Sequence, residues 1–184
     1  YFPNTNPGPT DPDPGPGTDQ GNVRKRQLDI INNAQSDLRV YNEEMADNQI
    51  VNALSAAAKR LGPGKVRVVM TQNSSYTWAF TQLVNAGAEV HLFNTNPGTL
   101  YIHGKVIMAD GKTAYIGSTN ISSPSMNYNR ELGIVLTDQA ATLSPVIATF
   151  DADWANPAGA PFQPSPGTST TTSTTPTPST PSYA

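Results

Sequence analysis

Prolines are concentrated at the two ends of the chain, and this uneven distribution confines a compact fold to the middle. Six of the 17 prolines lie within residues 1–20, and 15 of the last 17 residues are Ser, Thr or Pro. Such segments lack backbone donors and apolar side chains, so they contribute little to a core. The sequence predicts a Pro/Gly-rich linker over residues 1–21, one domain over 22–156, and a disordered or glycosylated Ser/Thr/Pro-rich tail over 157–184.

Charge and cysteine content exclude several classes of function. The 184 residues include 11 Lys and Arg against 14 Asp and Glu, a net charge of −3, and no cysteine. A net acidic chain has no long-range field that attracts a polyanion, so stable nucleic-acid binding is not expected. The absence of cysteine excludes disulfides and thiol chemistry. Because Ser/Thr/Pro-rich tails often carry O-linked sugars on secreted proteins, the tail favours an extracellular, secreted protein.

The hydrophobic pattern of the middle alternates between helical and extended periods. Helical spacing occurs over residues 23–34, 48–61, 75–86 and 138–154, and extended runs occur over 38–41, 65–71, 89–93 and 132–136. The five segments from residues 38–41 to 89–93 follow a β-α-β-α-β order, which is typical of parallel strands covered by helices. The predicted fold class is α/β, with a mixed, largely parallel sheet flanked by helices.

A β-hairpin is predicted over residues 100–120. Two β-rich runs are joined there by Asp110-Gly111, a dipeptide that strongly favours a two-residue hairpin turn. Such a turn pairs Ala109 with Lys112. Opposite and alternate positions then share a face of the sheet. This register places four polar side chains on the same face, namely His103, Lys105, Ser118 and Asn120.

This group of side chains is suited to binding an anion, and phosphate is the obvious one. Lys105 supplies a point charge, while Ser118 and Asn120 supply neutral donors to the remaining oxygens. Gly104 and Gly117 leave the approach open. A polar hairpin face in water is the alternative interpretation. The apolar residues Val106, Met108, Tyr115 and Ile116 weaken it, because they indicate a central hairpin whose polar groups need partners or a ligand.

The spacing of these residues resembles the signature of the phospholipase D superfamily. The run His103-x-Lys105-x4-Asp110-x6-Gly117-Ser118-x-Asn120 contains every specified residue of HxKx4Dx6GSxN. Residues 40–60 and 66–70 resemble the helix and strand that precede the signature in such proteins, and 129–136 and 150–154 resemble the strand and helix that follow it. The resemblance covers most of the predicted domain and implies a phospholipase D-like lobe.

The resemblance also implies a phosphodiester-cleaving site that needs no metal or other cofactor. His103 would attack phosphorus and form a phosphohistidine, which water or an alcohol then resolves. Lys105 and Asn120 would hold the phosphoryl oxygens, and Ser118 and Gly117 would contribute to binding the substrate.

Two acidic residues receive separate roles. Glu131 matches the family carboxylate that orients the imidazole and stabilises its charged form. Asp110, although part of the signature, is interpreted as structural, with its side chain capping the hairpin turn.

The chain departs from the family in containing one signature where catalysis uses two. The other histidine, His91, lies in a predicted strand and matches no motif. The second half would come from a homodimer mate or from a missing N-terminal lobe, and the second is favoured because residues 40–47 resemble second lobes. The leading function is a phospholipid phosphodiesterase or phosphatidyltransferase. The alternatives are a nuclease of the same superfamily and a non-catalytic binding or assembly domain.

Overall fold

The computed structural model describes residues 23–165. The helices of this part are α1 (Val23–Asn33), α2 (Asn48–Leu61), α3 (Thr77–Asn85), α4 (Ser123–Asn127) and α5 (Ala140–Trp154). The strands are β1 (Leu38–Tyr41), β2 (Val66–Thr71), β3 (Glu89–Phe93), β4 (Val106–Ala109), β5 (Thr113–Gly117), β6 (Gly133–Thr137) and β7 (Gly159–Pro161). The predicted linker over 1–21 and most of the predicted tail lie outside the described residues.

All seven strands belong to one sheet in the order β6-β5-β4-β1-β2-β3-β7. The pairings β1–β2 and β2–β3 are parallel, because α2 and α3 carry the chain back between successive strands. The other four pairings are antiparallel. The predicted α/β fold with a mixed sheet flanked by helices is confirmed. Its parallel part is smaller than predicted and consists of β1, β2 and β3, since β4, β5, β6 and β7 each pair antiparallel with their neighbours.

The central strands are buried on both faces, which explains their nearly continuous apolar sequences. One face packs against α1, α2 and α3, with Val40 and Val68 among its buried residues. The other face packs against α5, where Val69 meets a cluster that includes Leu143 and Phe150. The domain therefore has three layers. None of the helices within residues 23–165 is long and apolar enough to cross a membrane.

The register of the β4–β5 hairpin differs by one residue from the prediction. Ala109 pairs with Thr113 rather than with Lys112. Asp110 and Gly111 have φ angles of 58° and 63°, as a tight turn requires, but Lys112 also belongs to the connection. The Lys112 carbonyl accepts a hydrogen bond of 2.9 Å from the backbone N–H of Asp138, just beyond β6. The connection between β4 and β5 therefore has three residues, and its last residue is hydrogen-bonded to a residue outside the hairpin.

The side chain of Asp110 binds another loop rather than capping its own turn as predicted. Its carboxylate accepts hydrogen bonds from the backbone N–H groups of Gln35, Ser36 and Asp37 and from the Ser36 hydroxyl, at 2.7 to 3.2 Å. Partial burial would raise the pKa of Asp110, but these hydrogen bonds outweigh it and lower the pKa overall. Asp110 therefore ties the hairpin to the α1–β1 loop.

The folded part continues past residue 156, where the sequence predicts the tail to begin. Strand β7 pairs antiparallel with β3, and the Phe162 N–H donates to the Val90 carbonyl at 2.7 Å. The Phe162 ring packs edge-on against Phe80, with centroids 5.6 Å apart. Pro161 is tolerated because β7 is an edge strand. A short edge strand rich in Gly and Pro has the composition of a tail, and this explains the error.

Candidate active site

A cleft of about 470 Å³ lies at one end of the sheet. Strands β1 and β5 end at this edge, and the antiparallel strands β4 and β6 begin there. The end of β5, helix α4 and the loops at these strand ends supply the lining residues. These are Glu43, His103, Lys105, Gly117, Ser118, Asn120, Ser125, Asn129 and Glu131. All six predicted catalytic and substrate-binding residues are among them. Asp110 lies at the turn of the hairpin, away from the cleft.

The predicted residues converge for a different reason from the predicted one. His103 precedes β4 in an irregular segment, and Ser118 and Asn120 follow the end of β5. In the observed register the Gly117 N–H donates to the Lys105 carbonyl at 3.1 Å, so these two residues face each other. The site is built from neighbouring strand ends and not from one face of a two-residue hairpin.

Lys105 and His103 differ sharply in their exposure. The Lys105 side chain is 5% exposed, and its Nζ donates to the His103 carbonyl at 2.8 Å and to Glu43 Oε2 at 2.9 Å. The His103 side chain is 69% exposed. A buried ammonium beside an accessible imidazole suits a site in which the cation holds an anion and the imidazole reacts with it.

Glu43 is the residue of this site that sequence reasoning missed. Its Oε2 lies 3.0 Å from His103 Nε2 and accepts from Asn120 Nδ2 at 3.4 Å, while Tyr101 donates to its Oε1 at 2.7 Å. Desolvation raises the pKa of Glu43, but the hydrogen bonds from Tyr101 and Lys105 and the nearby positive charge lower it overall. Its position directly after buried strand β1 was the available signal, because ligands often bind at the carboxyl ends of parallel strands.

Buried Asn42 holds the loop that carries Glu43. The Asn42 side chain accepts from the backbone N–H groups of Glu44 and Ile121 at 3.1 and 3.0 Å and donates to the Thr119 carbonyl at 3.2 Å. These bonds connect the segment after β1 to the segment after β5. The carboxylate of Glu43 and the amide of Asn120 are therefore positioned by one network.

Glu131 is buried and contacts Ser118. The Ser118 hydroxyl donates to the Glu131 carboxylate and accepts from the Leu132 N–H at 3.0 Å. The carboxylate that contacts the imidazole in this structure is that of Glu43. The predicted role of Glu131 in orienting His103 stays a prediction, and its observed contact fixes the hydroxyl of Ser118.

Gly117 is required by close backbone packing. A Cβ at this position would collide with the Tyr115 hydroxyl and the Leu132 carbonyl, and would lie 2.8 Å from the Gly133 Cα. By contrast, a Cβ at Gly104 would meet Tyr41 at an ordinary 3.5 Å. Strands β5 and β6 approach too closely at Gly117 for any side chain. Its predicted contact with substrate stays a prediction.

His91 is not part of the cleft. It lies in β3 and stacks on Trp154 of α5, with ring centroids 3.7 Å apart and an interplanar angle of 12°. Since the chain contains two histidines, the cleft receives one imidazole from this chain. Within residues 23–165, no group of three or more His, Cys, Asp or Glu side chains is arranged to hold a metal ion.

Comparison with known protein families agrees with the fold and the signature. The family model described as "Cardiolipin synthase, PLD-like domain" matches residues 28–154. The chain belongs to this family of the phospholipase D superfamily. The match runs from within α1 to the end of α5 and includes every lining residue of the cleft.

Relatives of this phospholipase D-like domain include longer proteins. Cardiolipin synthase A of Proteus mirabilis is 26% identical over 74% of this chain and 29% of its own length. Cardiolipin synthase 1 of Bacillus anthracis is 25% identical over 76% of this chain and 28% of its own length. The chain thus spans less than a third of these curated relatives. The phospholipase D family member Nuc of Salmonella typhimurium has the same fold, with a TM-score of 0.67 and 23% identity over 76% of this chain and 90% of Nuc.

Proposed function

We propose that this phospholipase D-like domain is one half of a phosphodiesterase or phosphatidyltransferase that acts on phospholipid through a phosphohistidine. The observation that carries the proposal is the convergence of three nitrogen atoms on one point. His103 Nε2, Lys105 Nζ and Asn120 Nδ2 lie 3.0, 2.9 and 3.4 Å from the same carboxylate oxygen. A nucleophile, a cation and an amide around one anionic oxygen form the surroundings that a phosphoryl group needs.

The first step proposed is attack on phosphorus by Nε2 of neutral His103, in the tautomer that carries its proton on Nδ1 once Nε2 no longer contacts Glu43. A nitrogen–phosphorus bond forms, the ester oxygen leaves, and that oxygen takes a proton from a group of the second half. Lys105 and Asn120 offset the charge on the non-bridging oxygens. In the second step, water or an alcohol gives a proton to that same group of the second half and attacks phosphorus, and the nitrogen–phosphorus bond breaks. His103 is then free again.

The second half is proposed because the cleft contains a single imidazole and adjoins an exposed apolar strip. Leu132, next to Glu131 and just before edge strand β6, is 55% exposed, and Ile134 within β6 is 49% exposed. Tyr128 is exposed nearby in the sequence. Such residues are typical of a surface that another folded unit covers. Either a second copy of the chain or a separate N-terminal lobe would cover this surface and supply the second signature.

Phospholipid is the proposed substrate class for two reasons. The curated relatives are named cardiolipin synthases. The chain has a net charge of −3, which disfavours a polyanionic substrate. The proposed extracellular location rests on the composition of the tail alone.

Trapping the covalent adduct tests this function. The wild-type chain, with its second half, is incubated with phospholipid or with nucleic acid and then analysed for acid-labile phosphate on histidine. We expect an adduct from phospholipid on His103, none in His103→Ala, and an undiminished adduct in His91→Gln, whose side chain lies outside the cleft. Turnover without an adduct would refute the phosphohistidine. Turnover of nucleic acid alone would refute the substrate class, and failure of every preparation to turn over either substrate would favour a non-catalytic domain.

A further inference from the structure

The carboxylate of Glu43 occupies the position that the proposed function assigns to a phosphoryl oxygen. Its Oε2 receives the contacts of His103, Lys105 and Asn120 on a single atom. Its Oε1 is held separately by the hydroxyl of Tyr101 at 2.7 Å. An anionic oxygen surrounded in this way is equivalent in charge and contacts to a bound phosphoryl oxygen.

Two features keep the carboxylate in this position. Lys105 is almost fully buried, and a buried ammonium is strongly unfavourable without a counter-charge. Glu43 supplies that charge at 2.9 Å. The preceding residue, Asn42, is buried and hydrogen-bonded to the segment that leads to Asn120, so the loop delivers Glu43 to the same place.

We propose that Glu43 is an internal competitor for the phosphoryl group. It fills the anion site when no substrate is bound and withdraws when a phosphodiester enters, which lets His103 reach phosphorus. The inference rests on the proposed function in taking this cleft as the phosphoryl site. An anion that enters the cleft finds the charge of Lys105 already neutralised by Glu43. A ligand that offers only phosphate oxygens therefore binds with little favourable free energy.

Space for the withdrawn carboxylate exists beside the cleft. A smaller pocket of about 140 Å³ is lined by Glu43 and Tyr101 together with Gln72, Asn73 and Tyr76. Side-chain amides and a second phenol in this lining can donate to a carboxylate. Glu43 therefore selects ligands. Free phosphate competes poorly with it, while a diester displaces it with the help of contacts made by the rest of the molecule.

The test compares Glu43→Gln with Glu89→Gln, which removes the same charge at the start of strand β3. Glu89 is exposed and lines neither the cleft nor the smaller pocket. The probe is inorganic phosphate, titrated by calorimetry at fixed pH and ionic strength. We expect Glu43→Gln to bind phosphate about tenfold more tightly than wild type or better, because an unpaired ammonium attracts an anion strongly at short range. Glu89→Gln should change the affinity less than about threefold, because solvent and salt screen a more distant charge.

A second variant controls for contacts between the amide introduced by Glu43→Gln and the anion site. Glu43→Ala removes both oxygen atoms, and the same gain in phosphate affinity is expected. If neither Glu43 variant binds phosphate more tightly than Glu89→Gln, the competitor role is wrong. A different result would contradict the proposed function. In that case phosphate affinity would still rise in the Glu43 variants, but no preparation of the chain with its second half would turn over a phosphodiester.

Discussion

Asp110 belongs to the signature but acts at the end of the hairpin away from the cleft. Its carboxylate accepts hydrogen bonds from three backbone N–H groups of the α1–β1 loop and from the hydroxyl of Ser36. Its φ of 58° is tolerated by Asp and Asn better than by most residues. The residue thus fixes the position of the hairpin relative to the first layer of helices, and Lys105 and Gly117 are placed by that hairpin.

Asp110→Asn is expected to lower the free energy of unfolding by about 1–3 kcal/mol at pH 7, because one acceptor is replaced by a donor facing backbone N–H groups. The pKa of Asp110 is lowered in the folded state. The contribution of the charge is therefore full above the unfolded-state pKa of about 4 and is lost as the pH falls through the lower folded-state value. Urea unfolding at pH 7 and across the acid range measures the difference between wild type and variant.

Asp138→Asn is the matched control for this change. Asp138 also has a positive φ, 54°, but its side chain is exposed. We expect little loss of stability in this variant. A loss in Asp110→Asn that persists unchanged at low pH, or that Asp138→Asn reproduces, would contradict the role given to the Asp110 carboxylate.

Strand β7 completes the sheet at the edge opposite β6, and one aromatic residue secures it. Phe162 follows the strand and packs between the edge and the first helical layer, in contact with fully buried Phe80. The backbone N–H of Phe162 also continues the pairing with β3. A segment with the composition of a tail is held in the fold by these few contacts.

Phe162→Ala is expected to destabilise the domain by about 1–3 kcal/mol, because a half-buried ring and its edge-to-face contact are lost. The measurement is the midpoint of denaturant unfolding. Gln163→Ala changes the next, exposed residue and should leave the midpoint where it is. Equal midpoints for Phe162→Ala and wild type would mean that the folded domain ends before β7, as the sequence predicts.

At the scale of the whole molecule, the cleft with its single imidazole adjoins an exposed apolar strip formed by Leu132 and Ile134. Leu132 immediately precedes edge strand β6 and Ile134 lies within it, and Ser118, which accepts from the Leu132 N–H, is a lining residue of the cleft. Under the proposed function, association across these residues would bring a second signature close to His103. The proposal thus links the second imidazole to a particular surface.

Ile134→Arg is expected to weaken association with the second half and to reduce turnover at least about tenfold, because a charge would be buried at the contact. Trp78→Arg is the matched control, since Trp78 is 42% exposed on α3 and lines no part of the cleft. Sedimentation velocity and turnover are measured at several chain concentrations, with and without an added N-terminal lobe. Full turnover by Ile134→Arg would exclude the strip as the contact surface.

Much of this domain follows from local sequence patterns. The periods of the central strands and helices predict β1, α2, β2, α3 and β3 closely, because side-chain spacing depends only on neighbouring residues. Asp47 caps α2 by accepting from the N–H groups of Gln49 and Ile50, and Asp is a residue type that favours this position. The spacing of the signature likewise identifies His103, Lys105 and Asn120 as members of one site.

Tertiary pairing settled what local spacing leaves open. The one-residue shift of the hairpin accompanies a bond from Asp138, and the limited parallel part of the sheet arises because β4 pairs with β1. The position of Glu43 in the cleft also depends on the pairing of β1 with β4, since β1 ends where β4 begins. Contacts between residues far apart in the chain depend on which strands lie side by side, and no local period contains that information.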